Sequence, residues 1–214
     1  MKVRWLPALL VLCAARLLAQ APPGTPAMQP HSSDLGFTYN VPADWQVVPT
    51  PTLTDAQRDA ARSAATDDEK KGIGCVQVAL NARHGDPASI VVIVALPFDC
   101  FGQQMSEDDL PGFASGASQG LDQSFNVSDP VYGDYKLGSH SMWIERTKGT
   151  PKDHPELKYT VEIACTLLKK GAVCWMAMAA DDSTLQSFEH GLVTLEGEAP
   201  KALVPPEAFA KKPS

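Results

Sequence analysis

The chain predicts an α+β fold, a mainly antiparallel β-sheet covered by helices and pinned by two disulfides. Three observations carry that prediction. Several segments alternate apolar and polar residues with the period of a strand, and two longer ones repeat apolar residues with the period of a helix. Four cysteines also lie downstream of an N-terminus patterned for export.

The N-terminus comes first. Lys2 and Arg4 form a positive n-region, Trp5 to Ala15 an apolar h-region, and Ala19-Gln20-Ala21 a small-x-small cleavage signal. Residues 1–21 are therefore expected to be a signal peptide, cut after Ala19 or Ala21. Arg16 interrupts the apolar run, which is shorter than the roughly 20 residues that cross a bilayer. Leu12 ahead of Cys13 does not fit a lipoprotein signal. The expected location is periplasmic or secreted, with no integral membrane span after cleavage.

Cleavage would reduce the 18 basic residues to 15, by loss of Lys2, Arg4 and Arg16, against 25 acidic ones: a net of −10. A chain this acidic, with no basic cluster, is ill suited to neutralising phosphates, which excludes nucleic acid as a partner. It is equally ill suited to docking on anionic lipid. An apolar content of 44% is enough to build a core.

Residues 22–33, rich in Pro, Gln, Ser and Thr, read as a flexible lead-in. A single α+β domain is expected over 34–197. Phe37, Tyr39 and Val41 alternate as a half-buried strand does, Pro42-Ala43-Asp44 turns the chain, and Trp45 to Val48 begins a second strand. Thr54 to Ala65 reads as a helix with an N-cap and an alanine face. Cys75–Leu80 and Ile90–Leu96 read as strands joined by a turn at His84-Gly85-Asp86-Pro87, the second apolar on both sides and so central. Ser106-Glu107-Asp108-Asp109 caps a helix that carries Leu110, Phe113, Ala114, Ala117, Leu121 and Phe125 on one face. Residues 135–147, 159–168 and 172–180 read as three consecutive strands, and 183–195 as a capped amphipathic helix. The Pro- and Ala-rich stretch 198–214 reads as a loose tail.

Alternation also addresses the cysteines. Val161, Ile163 and Cys165 share one face of their strand; Cys174, Met176 and Met178 share one face of the next. A tight loop centred on Lys169-Lys170 pairs residues whose numbers sum to 339, which turns both apolar faces the same way and sets Cys165 opposite Cys174. Directly opposed Cβ atoms lie about 4.5–5.5 Å apart, close to what a disulfide requires. The expected pair is therefore Cys165–Cys174, which leaves Cys75 for Cys100. Neither a CxxC redox motif nor paired zinc-ligand spacing is present.

Little else resembles chemistry. Gly116-Ala117-Ser118-Gln119-Gly120 matches G-x-S-x-G, followed by Asp129, Asp134 or Asp153 and by His154 or His190 in hydrolase order. A nucleophile elbow needs a strand running into that turn, whereas the preceding residues are helical in pattern. The five histidines lack HxH or HExxH spacing, so no metal, cofactor or catalytic residue is assigned. Trp45, Trp143 and Trp175 are candidates to line a pocket, with the core as their ordinary place. Asn126-Val127-Ser128 fits a glycosylation sequon.

Gly36-Phe37-Thr38-Tyr39-Asn40-Val41-Pro42-Ala43-Asp44-Trp45 resembles the opening strand pair of PsbP-like domains, and the closing helix with Leu185-Gln186-Ser187-Phe188 is similar to that superfamily's ending. The resemblance spans roughly residues 34–196. It implies an α/β sandwich in a superfamily whose members are mostly binders or assembly factors without catalysis. It transfers no functional residue, because the matching positions are core and turn residues. The expected function is thus an exported non-catalytic protein that binds a protein partner or small ligand in the cell envelope. The alternatives are a serine hydrolase using Ser118 and a thiol or metal protein using the four mature cysteines.

Overall fold

In the computed structural model the described residues are 29–49, 67–118, 125–128 and 130–209. The expected signal peptide and the helix expected over 54–65 fall outside them. Twelve strands occur among the described residues: β1 (Gln29–Ser33), β2 (Phe37–Val41), β3 (Gln46–Val47), β4 (Gln77–His84), β5 (Ser89–Pro97), β6 (Phe125–Val127), β7 (Val131–Leu137), β8 (His140–Pro151), β9 (Tyr159–Leu168), β10 (Gly171–Ala179), β11 (Leu192–Leu195) and β12 (Lys201–Ala202). The α-helices are α1 (Asp67–Cys75), α2 (Phe98–Phe101), α3 (Leu110–Ser118, after a 3₁₀ turn at Glu107–Asp109) and α4 (Asp182–Glu189).

Every strand pairing is antiparallel. An eight-stranded sheet runs in the order β3-β4-β5-β10-β9-β8-β6, with β7 also on β8, and a four-stranded sheet runs β1-β2-β11-β12. β6 and β7 lie end to end along the same edge of β8: β6 pairs with 149–151 and β7 with 140–146.

The centre of the large sheet is apolar on both faces because both are covered. On one face Val161, Ile163, Cys165 and Cys174 pack with Leu110 and Ala114 of α3, and Cys75 of α1 packs with Leu96 and Ala172. On the other face Ile93, Ile144 and Trp175 pack with Phe37 and Tyr39 of the small sheet and with Leu185 and Phe188 of α4. Phe37 meets Trp175 edge-on, ring centroids 5.4 Å apart. The sheet is therefore not simply covered by helices: three short helices sit on one face, a second β-sheet plus α4 on the other.

The register of β9 with β10 places Cys165 opposite Cys174, Ile163 opposite Met176 and Val161 opposite Met178. Both disulfides are present, Cys165–Cys174 across this hairpin and Cys75–Cys100 between α1 and α2. With all four sulfurs bonded, none is left as the thiol or metal ligand of the third functional alternative.

Other elements differ from expectation, each for a local reason. The strand expected over 135–147 is the hairpin β7–β8. It folds at Gly138, whose φ of +66° and contact with the Glu198 carboxylate leave no room for a side chain. The helix expected over 183–195 stops at Glu189. Asp181 caps its start, accepting from the Thr184 N–H at 2.8 Å, and the Ser183 hydroxyl with the Thr184 groups holds that carboxyl down to about 2. After it comes Gly191, where a Cβ would lie 2.6 Å from the Tyr39 ring, and Leu192–Leu195 pairs with β2 as β11 in place of further helix. Phe125, expected to end a helix, lies in β6. Within the lead-in read over 22–33, residues 29–33 form β1. Within the tail read over 198–214, β12 forms and Leu203, Val204 and Ala208 are buried. Leu203, Val204 and Ala208 gain by burying apolar surface, whereas β1, polar and largely exposed, is held by its pairing with β2.

Candidate functional site: the outer face of the β7–β8 ladder

Strand alternation puts Tyr132 and Asp134 of β7 on the same face of the large sheet as Trp143 and Glu145 of β8. Tyr132 stands opposite Glu145 and Asp134 opposite Trp143. The two rings meet diagonally, centroids 5.5 Å apart and planes 34° from parallel. Val127 of β6 lies on this face too, since Val127 pairs with Gly149 and Gly149 with Tyr159. Large apolar side chains seldom stand this open on a folded protein: Tyr132 is 54% exposed and Val127 40%. Partial burial raises the pKa of the Glu145 carboxyl. The indole N–H of Trp143 is buried with no hydrogen-bond partner.

The opposite face of the same ladder holds a different arrangement. Glu162 of β9 is fully buried. Arg146 of β8 donates from Nε to Glu162 Oε2 at 2.6 Å and from Nη2 to Glu189 of α4, with Nη2 also in ion-pair contact with Glu162 Oε2 at 2.5 Å. Phe209 covers the guanidinium, its ring centroid 4.2 Å from Cζ. Oε1 of Glu162 has no partner. Burial outweighs Arg146 and, aided by Glu189, raises the Glu162 pKa to about 7. Burial, then Glu162 and Glu189, raise that of Tyr135, whose hydroxyl donates to the Leu203 carbonyl at 2.6 Å. Sheet, α4 and the C-terminal segment bury the Glu162 carboxylate while Arg146 stays a third exposed, and the cluster fastens residues 203–209 to the sheet.

A shallow depression of about 380 Å³ lies beside β3 and β4, lined by Asp44, Gln46, Arg83, His84, Gly85 and Ala88. Its polar groups serve one another: Arg83 donates twice to Gln46 Oε1 at 3.0 and 3.1 Å, and His84 Nδ1 lies 3.5 Å from Asp44 Oδ2.

The residues singled out in the sequence are scattered. Ser118 is the last residue of α3, so a helix leads into it and not the strand a nucleophile elbow requires. His190 caps the C-terminal end of α4, on the opposite face of the sheet from α3. His154 lies on an exposed loop with Nδ1 3.2 Å from Glu156. Asp129 lies outside the described residues. No group of His, Cys, Asp and Glu arranged to hold a metal occurs among the described residues. Trp45 and Trp175 belong to the core on one face and Trp143 to the other face, so the three line no common pocket.

Sequence reasoning missed Arg146, Glu162 and the Tyr132–Trp143 pair. Glu162 did leave a signal, being the one charged residue inside the otherwise apolar β9. Tyr132 left none, because it lies three residues ahead of the strand expected over 135–147.

No family model matches the chain, and no curated protein matches it. Two solved structures are similar in fold. The solution structure of cyanobacterial PsbP (CyanoP) from Synechocystis sp. PCC 6803 shares 14% identity, over 80% of this chain and 92% of that one, with a TM-score of 0.43. The crystal structure of LpqN, involved in cell envelope biogenesis of Mycobacterium tuberculosis, shares 17% identity over 74% and 81% of the two chains, with a TM-score of 0.40.

Proposed function

We propose that this is an exported protein that acts by binding, and that it presents the outer face of the β7–β8 ladder to a protein partner in the cell envelope. One observation carries the reading: Tyr132 stands exposed against Trp143 on one face at the edge of the large sheet, with Val127 exposed further along the same face. Exposed aromatics on a rigid sheet are what a binding surface needs, since they bury much area and lose few rotamers on contact. The disulfides support export, because such bonds persist in oxidising compartments. The signal-peptide pattern of residues 1–21 supports it independently.

A photoreactive amino acid at position 132, with a control at exposed His154, tests the reading in the exporting cell. Irradiation should give a discrete adduct from position 132 and none from 154. Equal labelling at both positions, or no adduct at 132, would remove the proposed surface.

A further inference from the structure

Resting on that reading, we infer that the Tyr132–Trp143 face receives a cationic side chain, lysine or arginine, from an extended basic segment of the partner. Two aromatic rings and two carboxylates occupy one small patch of ladder, with each carboxylate directly opposite a ring. Ring faces attract cations through their quadrupole, and carboxylates through their charge. Among the described residues no cation pairs with Glu145, and partial desolvation leaves its charge poorly compensated. The neighbouring bases are engaged elsewhere. Lys136, on the same face, lies 3.9 Å from Glu107 and also bonds Ser141, while Arg146 points to the opposite face and holds Glu162 and Glu189. The acidic balance of the whole chain favours approach by a basic partner over long range.

Two features favour a peptide over a free small cation. The rings lie side by side on an open sheet face and do not form a closed cage. In addition, among the described residues β7 pairs only with β8, so its outer edge can take an extended segment by strand addition. Alternate side chains of such a strand would lie over the Tyr132 face, and a cation at one of them would reach both rings and Glu145.

The test titrates the mature, disulfide-bonded chain with an arginine-rich decapeptide and with its glutamate-substituted counterpart, following tryptophan fluorescence. Trp45 and Trp175 are buried in the core, so a response reports chiefly on Trp143. The arginine peptide should give a saturable change that the glutamate peptide does not, weakening several-fold between low and high salt. Tyr132→Ala and Glu145→Gln should each lower the affinity by about 5- to 10-fold, the scale of one exposed cation–π contact and one charge pair. Both variants change exposed or half-exposed side chains, and unchanged melting temperatures would show that both fold. Equal responses to the two peptides, or undiminished affinity in Glu145→Gln, would overturn the inference. Tetramethylammonium alone matching the peptide's affinity would overturn it in favour of a small-molecule site. Failure here with a clean adduct from position 132 would leave the partner surface standing and remove only its cationic specificity; loss of the adduct would remove both.

Discussion

At the scale of single residues, the most consequential group is one the function does not use. Glu162 sits at a strand position where its neighbours along the face are alanines and threonine, and one guanidinium serves both it and Glu189. A buried carboxylate so supplied with hydrogen bonds still costs free energy to ionise, because one oxygen is left without a donor. Its folded-state pKa is raised from 4.5 to about 7, so the folded protein holds this proton more tightly than the unfolded chain does. That contribution to stability is present below about pH 4.5 and is lost as the pH rises through 7. Between pH 5 and 8 the wild-type protein should therefore lose about 2–3 kcal/mol relative to Glu162→Gln, which keeps Arg146 paired with Glu189. Urea melts of the two proteins across this range measure the difference directly; parallel pH curves would show that Glu162 titrates normally. The sequence contained this residue's oddity, an acid inside an apolar strand. It did not contain the partners, since Arg146 and Glu189 come from a strand and a helix whose meeting depends on the whole fold.

At the scale of elements, the β9–β10 hairpin was legible in full because its alternation is uninterrupted and its turn is short. Period-2 patterning fixed both the face and the register, and from them the disulfide. The β7–β8 hairpin was not legible, since its turn at Gly138-Ser139 reads as an ordinary strand interior unless the left-handed backbone is known. The second half of α4 failed differently. Leu192 and Leu195 continue the helical period of Leu185 and Phe188, and only pairing with β2, a long-range contact, makes 192–195 a strand. The two disulfides act on different elements, Cys75–Cys100 closing a separation of 25 residues and Cys165–Cys174 one of 9. On chain entropy alone, removing the first should cost about 3.5 kcal/mol and the second about 2.5. Cys165 and Cys174 are fully buried, so their replacement by alanine also leaves a cavity and narrows that gap. Denaturant melts of the two double alanine variants should show both losses at 2–4 kcal/mol. A variant as stable as wild type would mean that its disulfide does not constrain the chain.

At the scale of the whole molecule, one disulfide staples the centre of the sheet, the other ties α1 to α2, and an exposed tyrosine stands against a half-buried tryptophan at one sheet edge. These features suit the proposed role of an exported scaffold that meets another protein through a rigid face. Composition and charge already limited the partners, the antiparallel sheet followed from alternation, and the small second sheet did not, because β1 and β12 come from stretches that read as loose ends and β11 from one that reads as helix. The candidate surface was equally hidden, as an exposed tyrosine acquires meaning only once pairing sets it beside a tryptophan from the next strand. Export and closure by two disulfides are best tested by the intact mass of the exported protein, taken unreduced after exposure to an alkylating agent. The expected chain begins after Ala19 or Ala21, is lighter by four hydrogens than its reduced form, and carries no alkyl adduct. Two or four alkylations, or a chain that still carries residues 1–21, would contradict it.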